Sequence, residues 1–296
     1  MYREIESNKI KTVIIMILFP AFVIGLAYVF SYRYPVILPI AVIFSLVQAW
    51  AGYFYSDKIT LAVSGAKPVL KNDNPELFRI VENLSIASGL PMPKVYIIND
   101  SAPNAFATGR NPDHSAIAVT RGLLEKLEKT ELEGVIAHEM SHIKNYDIRL
   151  MTVMVVMVGI VALMADFFLR MSFWGGRDDD RQSGQLGLIL MVAGIVLALL
   201  SPIFASLIQL SLSRKREYLA DATGALLTRY PEGLAKALEK IAADTEPLEA
   251  ANKATAHLYI ENPLKEHKGS SRGWFINFFN THPPVEERIK RLKAMA

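Results

Sequence analysis

Residues 138–142 read His138-Glu139-Met140-Ser141-His142, and an apolar run of membrane length follows shortly after. Two histidines four apart on a helix project from one face, so both rings can reach a single metal ion. A glutamate directly after the first histidine can deprotonate a water held at that ion. This is the HExxH arrangement, a specific motif whose surroundings must still supply the rest of a site. It has two ligands and a base, whereas a catalytic zinc takes three protein ligands and keeps one position open.

The remaining ligand has to come from elsewhere in the chain. A third histidine in the pattern HExxHxxGxxH is ruled out, because positions 145 and 148 are Asn145 and Ile148. Asp147 lies too close along the chain to turn back on the metal as a ligand. The sequence has no cysteine, which excludes thiolate sites and disulfides. Glu217-Tyr218-Leu219-Ala220-Asp221 offers a glutamate and an aspartate on one helical face. Glu217 could bind the metal, and Asp221 could accept the outer N–H of a metal-bound imidazole and fix its tautomer. The plainer alternative for Glu217 is a solvated charge pairing with Lys215. Placement favours the ligand reading. The HExxH segment stands just before the third apolar run and Glu217 just after the fourth, so a hairpin of those runs returns both to one side of a bilayer.

The chain has 296 residues, of which 51% are hydrophobic, and a mean hydropathy of +0.24. Both values are high for a soluble protein. The excess sits in four runs: Thr12 to Phe30, about Val36 to Tyr55, about Leu150 to Leu169, and about Leu186 to Leu212. Each is close to the roughly 20 residues a spanning helix needs. The alternative for the last two is a helical hairpin buried in a large core, and a cleaved signal peptide is the alternative for the first. Lys and Arg flank the runs at Arg3, Lys9, Lys11, Lys58, Lys144, Arg149 and Arg214 to Arg216, which places the termini and the polar segments in the cytoplasm. Arg170, Arg177 and Arg181 weaken that asymmetry. A net charge of +3 with no basic-aromatic cluster argues against nucleic acid.

Between the second and third runs, Asn74-Pro75-Glu76 opens a helix that ends at Gly89. Lys94 to Ile98, Ala105 to Thr108 and Ala116 to Thr120 read as strands. Thr130-Glu131-Leu132-Glu133 reads as a capping box that starts the HExxH helix. The expected segmentation is 1–56, an N-terminal transmembrane hairpin; 57–149, the first part of a catalytic domain; 150–212, a second hairpin; and 213–296, the second part, bearing Glu217. His114, His257 and His267 read as surface residues.

Four segments together resemble the HtpX-type membrane-bound zinc metalloproteases of peptidase family M48: Asn104-Ala105-Phe106-Ala107-Thr108-Gly109, the HExxH pentad, Ser213 to Asp221, and Thr281-His282-Pro283-Pro284 with Glu287-Arg288-Ile289. The resemblance implies a mainly α fold with a small β-sheet: four transmembrane helices and a cytoplasmic gluzincin domain. It implies one Zn2+ per chain on His138, His142 and Glu217, with Glu139 as base and Asp221 behind the ligands. Asn104 to Gly109 would be an edge strand for an extended substrate; an ordinary strand and turn is the alternative. His282 would stabilise the oxyanion or gate the metal, with Arg288 supporting the same charge; a turn-capping histidine and a surface arginine are the alternatives. Residues 261–271 read as a loop ahead of His282.

The implied activity is an endopeptidase of the inner membrane that hydrolyses misfolded or damaged membrane proteins at the cytoplasmic face, as part of a stress response. Its partners would be polypeptide substrates, the lipid bilayer and other membrane proteases, without nucleic acid. A non-proteolytic membrane chaperone or adaptor on the same fold is the competing function. A channel is disfavoured, since only Asp166 and Gln209 are polar enough to mark a pathway.

Overall fold

The computed structural model describes residues 2–32, 35–174, 188, 191–196, 214–250, 255–261 and 283–296. The chain is mostly helical, with one small mixed sheet. Helices α1 (Tyr2–Ser31) and α2 (Ile37–Phe54) pack together, and α1 also lies along α7 (Asp147–Trp174). Their outward faces carry Ile14, Ile17, Leu18, Ile40, Ile43 and Leu46 exposed, as lipid contact requires. Where the sequence pointed to four spans, the described residues contain three helices long and apolar enough to cross a bilayer: Ile5–Tyr28, Ile37–Phe54 and Asp147–Arg170. Of the expected fourth, 186–212, only 188 and 191–196 lie among the described residues.

Helix α3 (Ser56–Val63) leads to the sheet, whose strands β1 (Lys67–Pro68), β2 (Lys94–Ile98), β3 (Ala105–Asn111) and β4 (His114–Thr120) run in the order β1-β2-β4-β3. The β2–β4 pair is parallel and the others antiparallel. Among the described residues β3 is therefore an edge strand. Side chains alternate across the sheet. Val95, Ala105, Ala107, Ile117 and Val119 face a core built with α4 (Pro75–Ser88), α6 (Lys129–Lys144) and α9 (Pro231–Ala243). Ile98, Phe106, Ala116 and Ala118 face the opposite way, onto Leu150, Met151, Met154 and Val155 of α7. The sheet thus sits between the HExxH helix and the N-terminal turns of α7.

Local chemistry sets the helix ends. Asn74 caps α4 by accepting from the Leu77 amide, Pro75 takes the first turn, and Gly89 closes it at φ 70°. The short helix α5 (Arg121–Lys126) is capped by the Thr120 hydroxyl. For α6 the capping box lies two residues earlier than the sequence suggested. Glu128 is the cap, and the Glu131 carboxylate accepts from its amide. The Ser/Thr-x-x-Glu template overlooked a glutamate cap. The His-bearing helix and the third apolar run, adjacent in sequence, form two separate helices. Asn145 ends α6 and Tyr146 turns the chain at φ 60° before α7 begins at Asp147.

Helices α8 (Arg214–Thr228) and α9 complete the wall behind α6. A β-carbon on Gly224 of α8 would lie 3.1 Å from the backbone nitrogen of His138, so glycine is what permits that approach. Residues 256–260 pack across the sheet edge, and α10 (Val285–Lys293) closes the chain. His257, expected at the surface, is buried with Nε2 3.3 Å from the Met151 carbonyl. A polar neighbourhood in sequence did not reveal that its flanking residues, Ala256, Leu258 and Tyr259, enter the core.

Candidate metal centre

α6 brings His138 and His142 onto one buried face, with ring centroids 4.7 Å apart and Nε2 atoms 3.1 Å apart. Glu217, in the first turn of α8, lies across from them. Its carboxylate oxygens are 3.7 Å from His138 Nε2 and 3.6 Å from His142 Nε2. Ligand atoms about 2.0–2.1 Å from a tetrahedral metal stand roughly 3.3 Å from one another. The three donors fit a divalent ion with only small adjustments. Among the described residues this is the one such His/carboxylate cluster. Glu217 is 2% exposed, so it is no solvated partner of Lys215.

Each histidine turns its other ring nitrogen to a carboxylate. His138 Nδ1 is 2.9 Å from Asp221 Oδ1, and His142 Nδ1 is 3.0 Å from Asp147 Oδ2. A carboxylate at Nδ1 holds the proton there and leaves the Nε2 lone pair for a metal. Asp147 was set aside from sequence because it cannot itself reach the metal. The break at Tyr146 carries it back beside His142, which no helical periodicity would reveal. Its other oxygen, Oδ1, lies 3.5 Å from Arg216 Nη1, and Arg216 is itself buried.

Arg288 does not sit in the last helix as a surface residue. It is fully buried, donating from Nε and Nη2 to both oxygens of Asp221 at 2.9 and 2.8 Å, and from Nη1 to the Ile260 carbonyl at 3.0 Å. Its fork stands behind Asp221, 3.9 Å from Glu217. Burial is the largest single influence and would raise the Asp221 carboxyl, but the Arg288 charge, the hydrogen bonds from His138 and Arg288 and the His138 charge together outweigh it, and the pKa falls to about 2. Burial disfavours the charged ring of His142, yet the Asp147 hydrogen bond and the charges of Glu217, Asp147 and Glu139 push it up to about 9 in the metal-free protein.

Glu139 follows His138 on α6 and is 2% exposed. Burial pushes its carboxyl above the ordinary range, with Glu217 adding to that, while His138, His142 and the Ala107 amide pull it down. The Ala107 contact joins Glu139 to β3. Along this edge the even residues face β4, since the Asn104 carbonyl accepts from the Thr120 amide at 3.0 Å. The odd residues face outward. The Ala105 carbonyl accepts from the Ile260 amide at 3.0 Å, and the Gly109 amide donates to Thr152 Oγ1 at 3.3 Å. The Asn104 side chain donates to the Glu261 carbonyl at 3.1 Å. Phe106 and Thr108 are fully buried, Phe106 edge-on to Tyr259. His282 and 262–271 of the expected loop lie outside the described residues.

The sequence profile of Peptidase family M48 matches residues 71–296. A "Protease HtpX homolog" of Tropheryma whipplei (strain Twist) is 47% identical over 300 residues, covering 100% of this chain and 98% of the relative. One of Dictyoglomus turgidum is 46% identical, covering 99% and 94%. One of Lactobacillus helveticus is 44% identical over the whole of both chains. Among solved structures, the crystal structure of S. mikatae Ste24p aligns at a TM-score of 0.50 and 18% identity, over 99% of this chain and 67% of that one, a likeness of fold. Identity at that level over entire chains, with a profile that takes in β3, both metal-facing helices and Arg288, has one reading: this is a membrane metalloprotease that belongs to peptidase family M48.

Proposed function

We propose that the chain is a zinc endopeptidase that cleaves misfolded or damaged membrane proteins at the cytoplasmic face of the inner membrane. The observation that carries this reading is the trio of His138, His142 and Glu217 at metal-ligand spacing, with Glu139 beside it and three membrane-length helices attached. A bound zinc supplies a Lewis acid that polarises the scissile carbonyl and makes water a competent nucleophile near neutral pH.

The remaining work falls to the chain's own groups. Glu139 would take the proton from the attacking water on its carboxylate and hand it to the leaving amine. Its upward-shifted pKa suits a base that must later act as an acid. Asp221 and Asp147 would hold the histidine rings with Nε2 facing inward. An extended peptide would pair with the outward-facing backbone of β3 around Ala107, between the Ala105 carbonyl held by Ile260 and the Gly109 amide held by Thr152. Backbone pairing makes little demand on sequence, which suits substrates defined by being unfolded. A place in a membrane stress response would follow from that tolerance.

The test uses the full chain purified in detergent. Zinc content and cleavage of an unfolded membrane protein are compared between wild type and Glu139→Gln. One zinc per chain in both, with cleavage only by wild type, is expected. Equal cleavage by the variant would sink the mechanism.

A further inference from the structure

Asn8 lies in the first membrane-length helix, 137 residues before Asn145, yet it is fully buried against the turn that links α6 to α7. Its amide nitrogen donates twice, to the Asn145 carbonyl at 2.9 Å and to Asp147 Oδ1 at 2.6 Å. With two acceptors facing it, only the NH2 end of the carboxamide can point there. Thr12 Oγ1 donates to the Asn8 backbone carbonyl at 2.8 Å, a bond within α1 itself. The neighbouring Lys9 places Nζ 4.5 Å from the centroid of the Tyr146 ring. Two successive residues of α1 thereby grip three successive residues of the turn.

Asp147 spends one oxygen on each neighbour: Oδ2 faces His142 Nδ1, and Oδ1 faces Asn8 with Arg216 Nη1 further off at 3.5 Å. The plane of that carboxylate is therefore set jointly by a soluble-domain arginine and a membrane-helix asparagine. Among the described residues, deleting the amide leaves Arg216 to pull on Oδ1, and the carboxylate turns with it. A leucine at position 8 would suit insertion into lipid at least as well, since a buried carboxamide in an apolar helix is costly without partners.

We propose that Asn8 is a positioning residue for the metal centre: through Asp147 it fixes the orientation of His142, so the first membrane helix forms part of the site. This rests on the zinc reading above. It differs from a role as polar glue between helices, which would stabilise packing without reaching the metal.

The experiment is a double-mutant cycle on the full chain in detergent, with Asn8→Leu, Asp147→Ala and the pair. The readouts are the zinc dissociation constant from chelator competition and the visible spectrum of the Co2+-loaded protein. Changing a carboxylate behind a metal ligand typically costs 10–100-fold in affinity, so a residue one step further out should cost about tenfold. The expected result is roughly tenfold weaker zinc binding and a shifted Co2+ spectrum in Asn8→Leu, with no further loss when Asp147 is already alanine. Asn8→Ala repeats the measurement if the leucine variant folds poorly. Affinity within twofold of wild type, or an equal loss with and without Asp147, overturns the inference and leaves the zinc reading standing. A wild type that binds no metal removes both.

Discussion

Replacing Arg288 with methionine should destabilise the protein severely. The guanidinium is fully buried and holds both Asp221 oxygens, and its third nitrogen holds the Ile260 carbonyl. Methionine fills comparable apolar volume but leaves the carboxylate, itself 2% exposed, with His138 as its one remaining charged-group partner among the described residues. Breaking a buried pair from one side costs about 3–5 kcal/mol, chiefly through the charge left behind. A second route gives a similar scale. The Asp221 pKa lies near 2 against an ordinary 3.8, worth about 2 kcal/mol of stability. Because the folded pKa is depressed, that contribution is present above about pH 4 and is lost as pH falls through 2. The assay is thermal and denaturant unfolding of full-length protein in detergent, in a Glu139→Gln background to prevent self-cleavage. A drop of roughly 6–20 °C follows if about 2–4 °C accompany each kcal/mol in a domain of this size. Removing both charges, Arg288→Met with Asp221→Asn, should recover part of the loss. A drop below about 1 kcal/mol for Arg288→Met, with kcat reduced instead, would refute the reasoning and return Arg288 to the reacting atoms.

Other outcomes follow from the same geometry. Glu139→Gln should lower peptide hydrolysis by about 100-fold or more without changing zinc stoichiometry, as measured by kcat and elemental analysis. In the metal-free protein His142 titrates near 9, above its ordinary 6.5. Its contribution to apo stability is complete below 6.5 and disappears as pH rises through 9. Zinc must displace that proton, so zinc affinity should weaken about tenfold per pH unit below 9, with close to one proton released at pH 7 from this ring in calorimetry across buffers. Affinity that is flat between pH 6 and 8 would contradict this. Gly224→Val should push α8 from α6, costing about 1–3 kcal/mol and weakening zinc binding, because the first added carbon already meets the His138 backbone at 3.1 Å. Unchanged zinc affinity in that variant would show that the approach is not needed.

What the sequence made legible was periodic or punctuated. His138 and His142 share a face because a helix repeats every 3.6 residues, and Glu217 and Asp221 follow the same rule. Asn74, Pro75 and Gly89 mark α4 through fixed backbone chemistry. Alternation found the strands. Contacts that depend on a break in periodicity stayed hidden. Asp147 meets His142 only because Tyr146 adopts a left-handed turn, and Arg288 reaches Asp221 from the far end of the chain. His257 looks polar in context but is carried inward by its apolar neighbours. Side chains such as Arg216, preceded by the charges of Arg214 and Lys215, carry no local mark distinguishing the buried one from the solvated ones.

The groups walled in around the two histidines do not balance among themselves. Among the described residues, Glu139, Asp147, Glu217 and Asp221 are four buried carboxylates there, and Arg216 and Arg288 are the two buried guanidinium groups beside them. Fully ionised, the cluster is two positive charges short of neutral. The upward shifts at His142 and Glu139 are one answer to that deficit, since a proton on each would close it. A divalent ion closes it in one step, releasing both sites from their protons. The cost of uncompensated charge in a low-dielectric interior therefore sets metal and protons against each other for the same two units. A substitution that neutralises either arginine or any one carboxylate changes which ionic charge the cavity prefers, even when no ligand is touched.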